Sequence, residues 1–372
     1  MVLGVPTSEL DSKEMTRDRP SASPREVGLR ARIAAGSQDV DHYLELADVL
    51  QGASRWDEAL AIYEQARGLA LQNLAKAKLT TRLGLLHQNR MDRTVAAAFA
   101  REALTLVRDE PDSVEVLLIR GCSQSVLAHA LWVDDPEAGA DEARVAVKWL
   151  ERVIREDNTS RDATTAYYEI ARLQNALGNP DQAILFSQEY LRHDLDQCNR
   201  LAGKLVLADA LVATDRLREA EATIADAFRD AETFGETPPT LYLLLGLVHQ
   251  GARRPAEAQR AFEQALKVVQ EDKYLRGDKE FVRTLNWHLA DLDRNTGNYP
   301  HQVIILDELL RLYPEGHAEW HRILIWLGDC HARLGHAAEA RRCYQQVIAA
   351  STASKAERDA ARDGLGDLPS AS

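Results

Sequence analysis

The sequence predicts an all-α protein, a helical solenoid of about eight helix-turn-helix repeats with a C-terminal capping helix. Three observations predict it. A large apolar residue followed by a small one recurs along the chain, as in Leu46-Ala47, Leu83-Gly84 and Leu245-Gly246. An alanine or its substitute follows twelve to fifteen positions later, with apolar partners at fixed offsets. Alanine and leucine dominate, and aromatic residues are only 6%, which suits close helix packing better than a β-rich core.

Each repeat is expected to contain two amphipathic helices that approach closely at their small residues. The intervals between the small residues of the first helices are 37 or 38 positions in most of the regular units. Turns such as Gly178-Asn179-Pro180-Asp181 join the two helices, because glycine ends a helix and Asn or Asp caps the next one. The small residues are Ala47, Gly84, Ala128, Ala171, Ala208, Gly246, Ala290 and Gly328.

Two units are irregular. In the third we place the small residue at Ala128, since the alternative at Gly121 would put Arg120 in the core. The seventh unit has Gln302 where the second helix normally carries alanine. Residues 1–38 contain three prolines and no apolar period, which predicts a disordered leader. The solenoid is expected over 39–350, with sixteen repeat helices, and a capping helix and tail over 351–372.

Composition narrows the functional classes. The 45 basic and 58 acidic residues give a formal net charge of −13, which disfavours binding to a nucleic-acid backbone. The four cysteines are scattered, and no segment reads as a signal peptide or approaches the roughly 18 apolar residues of a membrane span. We therefore expect a cytoplasmic protein that binds neither nucleic acid nor membrane.

The recurring residues resemble the tetratricopeptide repeat, over roughly residues 41–350. The consensus tyrosine of the first helix is replaced here, for example by Leu50 and His87, and the units run longer than usual. The resemblance implies a right-handed superhelix whose concave groove, formed by the first helices, binds a protein or peptide segment. The family's carboxylate clamp for chaperone tails is absent, because its groove positions hold residues such as Thr81 and Leu85.

Groove positions lie three before, one after and four after each small residue. Large aromatic and arginine side chains there are candidate anchors, and the aspartates are candidate counter-charges for a basic or neutral segment. The candidate binding residues are Ser125, His129, Trp132, Tyr168, Arg172, Asn175, Asp209, Trp287, Asp291, Arg294, Arg322 and Asp329. Arg322 lies one turn before the groove position Ile325. Trp132, Tyr168 and Arg172 are the expected central anchors, and we expect their triple alanine variant to fold normally.

Sequence motifs that would indicate metal binding or catalysis are weak or missing. His317 and His321 are one helical turn apart, a spacing that can share a metal, but the sequence between them is not that of a metalloprotease. No phosphate-binding loop, dinucleotide fingerprint or nucleophile elbow is present in the sequence. We therefore expect no catalysis, cofactor or metal, and a protein-interaction scaffold or adaptor. The alternative is a regulatory sensor of a small peptide or ligand, and an enzyme or metal site on the solenoid is a more distant one.

Overall fold

A computed structural model describes residues 23–52, 55–69, 71–90, 92–193, 195, 197–234, 237–271, 278–314 and 317–369. Over these residues the chain forms eighteen α-helices and no strand, so the all-α prediction is confirmed. The chain divides into two compact units, Met1–Leu71 and Gln72–Ser372.

The first unit contains α1 (Pro24–Ala34), α2 (Val40–Gly52) and α3 (Trp56–Arg67). Helix α1 begins because the Ser23 side chain accepts a hydrogen bond from the Glu26 backbone N–H and Pro24 occupies the first turn. The buried Glu26 carboxylate accepts two 2.9 Å hydrogen bonds from Arg55, whose guanidinium also pairs with Glu58. The structure therefore differs from the predicted disordered leader over Pro24–Ala34, while residues 1–22 lie outside the described residues.

The second unit contains seven helix pairs and a final helix. Within each pair the first helix packs on the second, and α18 packs on both α16 and α17. Together with α2 and α3, these pairs make the sixteen repeat helices and the cap that the sequence predicts, and α1 is additional. The helices are α4 (Asn73–Asn89), α5 (Arg93–Leu106), α6 (Val114–Leu131), α7 (Pro136–Glu156), α8 (Arg161–Ala176), α9 (Pro180–Leu191), α10 (Gln197–Ala213), α11 (Leu217–Phe234), α12 (Pro239–Gly251), α13 (Pro255–Glu271), α14 (Lys279–Thr296), α15 (Tyr299–Leu312), α16 (Ala318–Arg333), α17 (Ala337–Ala349) and α18 (Lys355–Gly366).

Small residues lie where the two helices of a pair nearly touch. A Cβ atom added to Gly246 would lie 2.3 Å from Cε1 of Phe262, and one added to Gly328 would lie 2.5 Å from Cε1 of Tyr344. At Gly84 the nearest atom to such a Cβ would be the Ala96 carbonyl oxygen at 3.5 Å, an ordinary contact. At Gly246 and Gly328 the aromatic ring of the second helix therefore leaves no room for a Cβ atom.

In the last five pairs, from α8 and α9 to α16 and α17, the turn uses a left-handed residue after the first helix. Gly297 caps α14 with φ 76°, and the following Asn298 N–H donates to the Asp293 carbonyl at 2.9 Å. In the turn between α12 and α13, Arg253 takes the same conformation, with φ 58°. Since a side chain disfavours this region, the Arg253 turn carries a strain that a glycine would avoid.

In both irregular repeats, the third and the seventh, local contacts accommodate the unusual residue. Gln302, which replaces alanine, is buried, its amide donates to the Ala290 carbonyl at 3.0 Å, and the Cys330 thiol donates to its oxygen at 3.0 Å. In the third repeat, Ala128 is fully buried, as expected, and Gly121 also lies against α7. Arg120 is accommodated beside it, because it pairs with Asp112 and donates to two backbone carbonyls.

Helix α6 requires a correction to the sequence analysis. Its eighteen residues, Val114–Leu131, are long and apolar enough to cross a membrane by length and composition, although no such segment was expected. Of this stretch 56% is buried inside the structure, where α6 packs against α4, α5, α7 and α8. Such packing is typical of a core helix of a helical solenoid, and a single apolar helix is weak evidence for a membrane span.

Candidate functional site

From α4 to α12, the first helices of the second unit follow one another in a row. Helix α4 packs on α6, α6 on α8, α8 on α10, and α10 on α12. Side chains of these helices therefore meet across neighbouring repeats. We call the surface formed by the first helices of the second unit the first-helix face; the candidate binding residues lie on α6, α8, α10, α14 and α16, with Trp132 at the end of α6.

A polar cluster joins α6 and α8 on this face. The buried Glu169 carboxylate accepts a 2.8 Å hydrogen bond from the Ser125 hydroxyl and pairs with Arg172 at 3.1 Å. Nη2 of Arg172 lies 3.3 Å from Nε2 of His129. Burial, and then the nearby Arg172 charge, lower the pKa of His129 to about 3, so its imidazole is neutral at pH 7. Sequence reasoning missed Glu169, the residue that holds the cluster together.

Arg172 is thus a structural residue as well as a candidate anchor. Its side chain is 21% exposed and lies 5.6 Å from the centre of the Tyr168 ring, which in turn packs on Tyr190 at 5.2 Å. Removing Arg172 would leave the Glu169 carboxylate buried without its cation, which is costly. We therefore withdraw the expectation that the triple alanine variant of Trp132, Tyr168 and Arg172 folds normally.

Trp132 lies at the end of α6, half-buried, with its ring 5.7 Å from that of His129. Its backbone is close to α7, because a Cβ added to Gly139 would lie 3.0 Å from the Trp132 Cα. Trp132, His129 and Arg172 line a cleft of about 590 Å³ between α4, α5, α6 and α8. The structure therefore brings three of the candidate residues together around one cavity.

A second cluster lies on α14 and α16. The Trp287 and Trp326 rings meet edge to face at 5.3 Å, and the Trp287 indole N–H donates to the Tyr313 hydroxyl at 3.1 Å. The Arg322 guanidinium lies 4.0 Å from the Trp287 ring centre, and that of Arg294 lies 4.7 Å from the Trp326 ring centre. We call Trp287, Trp326, Arg294 and Arg322 the Trp–Arg cluster.

Sequence reasoning predicted three members of the Trp–Arg cluster and missed Trp326. Its position, two before Gly328, falls between the groove offsets used to choose candidates. The two arginines are exposed and the two indoles are half-buried. The cluster therefore presents cations on a rigid apolar support, a combination common among binding anchors.

The aspartates of the face are held by polar neighbours. Asn175 donates to Asp209 at 3.1 Å, and Gln250 donates to Asp291 at 3.2 Å. Asp329 accepts a 2.7 Å hydrogen bond from the Tyr344 hydroxyl. Asp209 and Asp329 remain exposed, and a carboxylate accepts up to about four hydrogen bonds, so each retains capacity for a ligand.

The histidine pair at the start of α16 is divided between two environments. The exposed His317 side chain caps the helix by accepting from the Glu319 N–H, whereas His321 is fully buried with Nε2 3.1 Å from the Thr352 hydroxyl. Within the described ranges, no group of three or more His, Cys, Asp or Glu side chains is arranged to hold a metal ion. Burial raises the pKa of the Cys330 thiol to about 12 and that of Cys343 to about 11, so both remain protonated near neutral pH.

Comparisons with known proteins agree with this architecture. A tetratricopeptide repeat model matches residues 243–317, and a second tetratricopeptide repeat model matches residues 321–353. Among curated proteins none matches the chain. The crystal structure of the APC/C hetero-tetramer Cut9-Hcn1 is similar to it with a TM-score of 0.59 and 16% identity, over 91% of this chain and 58% of that one. The chain thus spans little more than half the length of that relative, and the likeness shows the fold.

Two further solved structures are more distant. One is YrrB, described as a TPR protein with an unusual peptide-binding site, at a TM-score of 0.41 and 16% identity over 58% of this chain and 97% of that one. The other is a tetratricopeptide repeat protein from Parabacteroides merdae, with a TM-score of 0.39 and 16% identity. The match covers 68% of this chain and 88% of that one. The two repeat models and the helix pairs of the fold show that this chain contains tetratricopeptide repeats.

Proposed function

We propose that this protein is a non-catalytic scaffold that binds a segment of a partner protein along its first-helix face. The observation that carries the proposal is the Trp–Arg cluster. In it, two half-buried indoles and two exposed arginines from the first helices α14 and α16 lie in contact. Tryptophan and arginine are the residues most enriched among binding hot spots.

The geometry supports the cluster as a preorganised anchor. Stacking on the indoles limits the rotamers of Arg294 and Arg322, so less side-chain entropy is lost when a ligand binds. Arg322 also pairs with Glu319 at 3.1 Å, an exposed pair of little energetic value that a ligand can displace. Arg294 forms no ion pair within the described part of the chain, so its donors are available.

Charge supports a basic or neutral segment. The formal net charge is −13, and Asp209, Asp291 and Asp329 follow the same face on α10, α14 and α16. Basic side chains of the segment would pair with these carboxylates, while its apolar or aromatic side chains would contact the indoles. The scattered thiols are compatible with action in the cytoplasm, which we retain as part of the proposal.

Peptide display tests the proposal with a library in place of the partner protein. A random peptide library is selected on the immobilised full chain, and enriched peptides are synthesised and titrated. We expect Arg294→Gln and Arg322→Gln each to weaken binding by roughly tenfold, the effect of losing one anchor of about 1.4 kcal/mol.

Arg260→Gln is the matched control, because it removes the same charge from an exposed position of the second helix α13. It is expected to leave the affinity unchanged. The proposal is wrong if the library yields no binding peptide, or if Arg260→Gln weakens binding as much as the cluster variants do.

A further inference from the structure

The cleft between α4, α5, α6 and α8 has features that a general interaction surface does not require. Its volume of about 590 Å³ lies within the roughly 300–1,000 Å³ of small-molecule sites. Val126, Val133 and Trp132 give it an apolar wall, and Val133 is exposed although it is a large hydrophobic residue. An apolar group of a ligand would bury this surface.

The charge of the cleft is opposite to that of the chain. Arg93, from the first turn of α5, and Arg172, from α8, both line it, and no Asp or Glu is among the described residues that do so. Arg93 forms no ion pair with any other described residue. The guanidinium of Arg172 has five N–H donors, and its contacts with Glu169 and His129 leave donors unused. Two such cations beside an apolar wall fit a carboxylate.

A third feature of the cleft is a side-chain oxygen that accepts no hydrogen bond from the described residues. Oε1 of Gln88 is buried at the edge of the cleft and has no hydrogen-bond partner among the residues that the structure describes. Buried polar atoms are nearly always paired, so this oxygen calls for an N–H or O–H group from outside the protein. His129 does not add charge to the cleft, because burial holds its pKa near 3.

We propose that this cleft binds an apolar molecule that carries a carboxylate and a neighbouring amide N–H. Both an N-acylated apolar amino acid and the last residue of a polypeptide have this chemistry. The carboxylate would pair with Arg93 and Arg172, the N–H would donate to Gln88, and the apolar side chain would lie on the Trp132 indole. The site lies on the first-helix face but shares no residue with the Trp–Arg cluster, so it goes beyond the anchor proposed there and is tested separately.

Calorimetric titration of the full chain tests the site with four probes. These are N-acetyl-phenylalanine, N-acetyl-Gly-Gly-Phe, and the carboxamide of each. We expect at least one of the two acids to bind, and to bind about tenfold or more tightly than its carboxamide, since the amide loses the charge-assisted bonds to the arginines. Binding of the free amino acid derivative would identify a small-molecule site, and binding of the peptide acid alone would identify a site for a chain terminus.

Variants assign the binding to the cleft. Arg93→Gln and Gln88→Leu are each expected to weaken acid binding severalfold, with circular dichroism unchanged. Arg101→Gln is the control, since it removes an equal charge from an exposed position of the same helix, outside the cleft. The proposal is overturned if neither acid binds, if the carboxamides bind equally well, or if Arg93→Gln binds like the unmodified protein.

Discussion

Replacing Gly246 with leucine tests the close approach of α12 and α13. A Cβ atom at this position would lie 2.3, 2.5 and 2.8 Å from three ring carbons of Phe262, whereas ordinary contacts lie at 3.4–4 Å. The Phe262 ring is fully buried among Ala258, Ala265 and Leu285, so it has no open space to enter. Helix and ring must therefore separate by about 1 Å or more.

The magnitude follows from two opposing effects. Overpacking a tight core contact costs about 1–3 kcal/mol, and occasionally more. The higher helix propensity of leucine returns somewhat less than about 1 kcal/mol. We expect a net loss of about 1–2 kcal/mol in the free energy of unfolding, measured by urea denaturation followed by circular dichroism. Hydrogen exchange should show the loss concentrated in α12 and α13.

Gly84→Ala is the control at the equivalent position of another repeat. Its Cβ would meet nothing closer than 3.5 Å, so relief of the glycine penalty is expected to stabilise the protein by up to about 1 kcal/mol. An unchanged urea midpoint for Gly246→Leu would refute the reasoning, and so would a loss in Gly84→Ala as large as that in Gly246→Leu.

Three further predictions concern the first-helix face and its turns. Arg172→Ala is expected to cost about 3 kcal/mol in urea denaturation, because Glu169 is left buried and unpaired; a loss below about 1 kcal/mol would show that Glu169 is solvated. Arg253→Gly is expected to raise the unfolding free energy by about 0.5–1 kcal/mol, since glycine accepts the φ of 58° without strain, and a decrease would contradict this. The pKa of His129 is about 3 in the folded protein and 6.5 in the unfolded chain. Between these pH values only the unfolded chain binds a proton at this residue, so the free energy of unfolding falls as the pH drops below 6.5. His129→Gln should reduce the difference in urea midpoint between pH 7 and pH 5.5, and an unchanged difference would exclude His129 as its source.

The repeat architecture could be predicted because it depends on the spacing of small and apolar residues within each repeat. Gly246 and Ala258 are set by the contact between the helices of one pair, and that contact recurs at a nearly constant interval. The helix α1 could not be predicted in this way. Its stability depends on contacts of Glu26 with Arg55, which follows it by 29 positions, and only Leu29 and Ile33 signal an apolar face.

The sequence predicted which helix positions could carry candidate residues, but it did not predict most of the contacts that those residues make. Groove offsets selected Trp287 and Arg294, and the structure brings them together through Trp326. Offsets carry no information about partners in other repeats, so the hydrogen bond from Ser125 of α6 to the buried Glu169 of α8 did not follow from them. The cleft near Arg93 was also missed, because that residue belongs to a second helix, where no groove position was assigned.

Hydrogen exchange of the full chain, with and without a display-selected peptide, tests the scaffold proposal most directly. Helices α14 and α16 carry the Trp–Arg cluster, and α15 and α17 are their second helices. The proposal predicts slower exchange in α14 and α16 when the peptide is bound, and loss of this protection in Arg294→Gln. Protection confined to α15 and α17, with no change in α14 and α16, would contradict binding on the first-helix face.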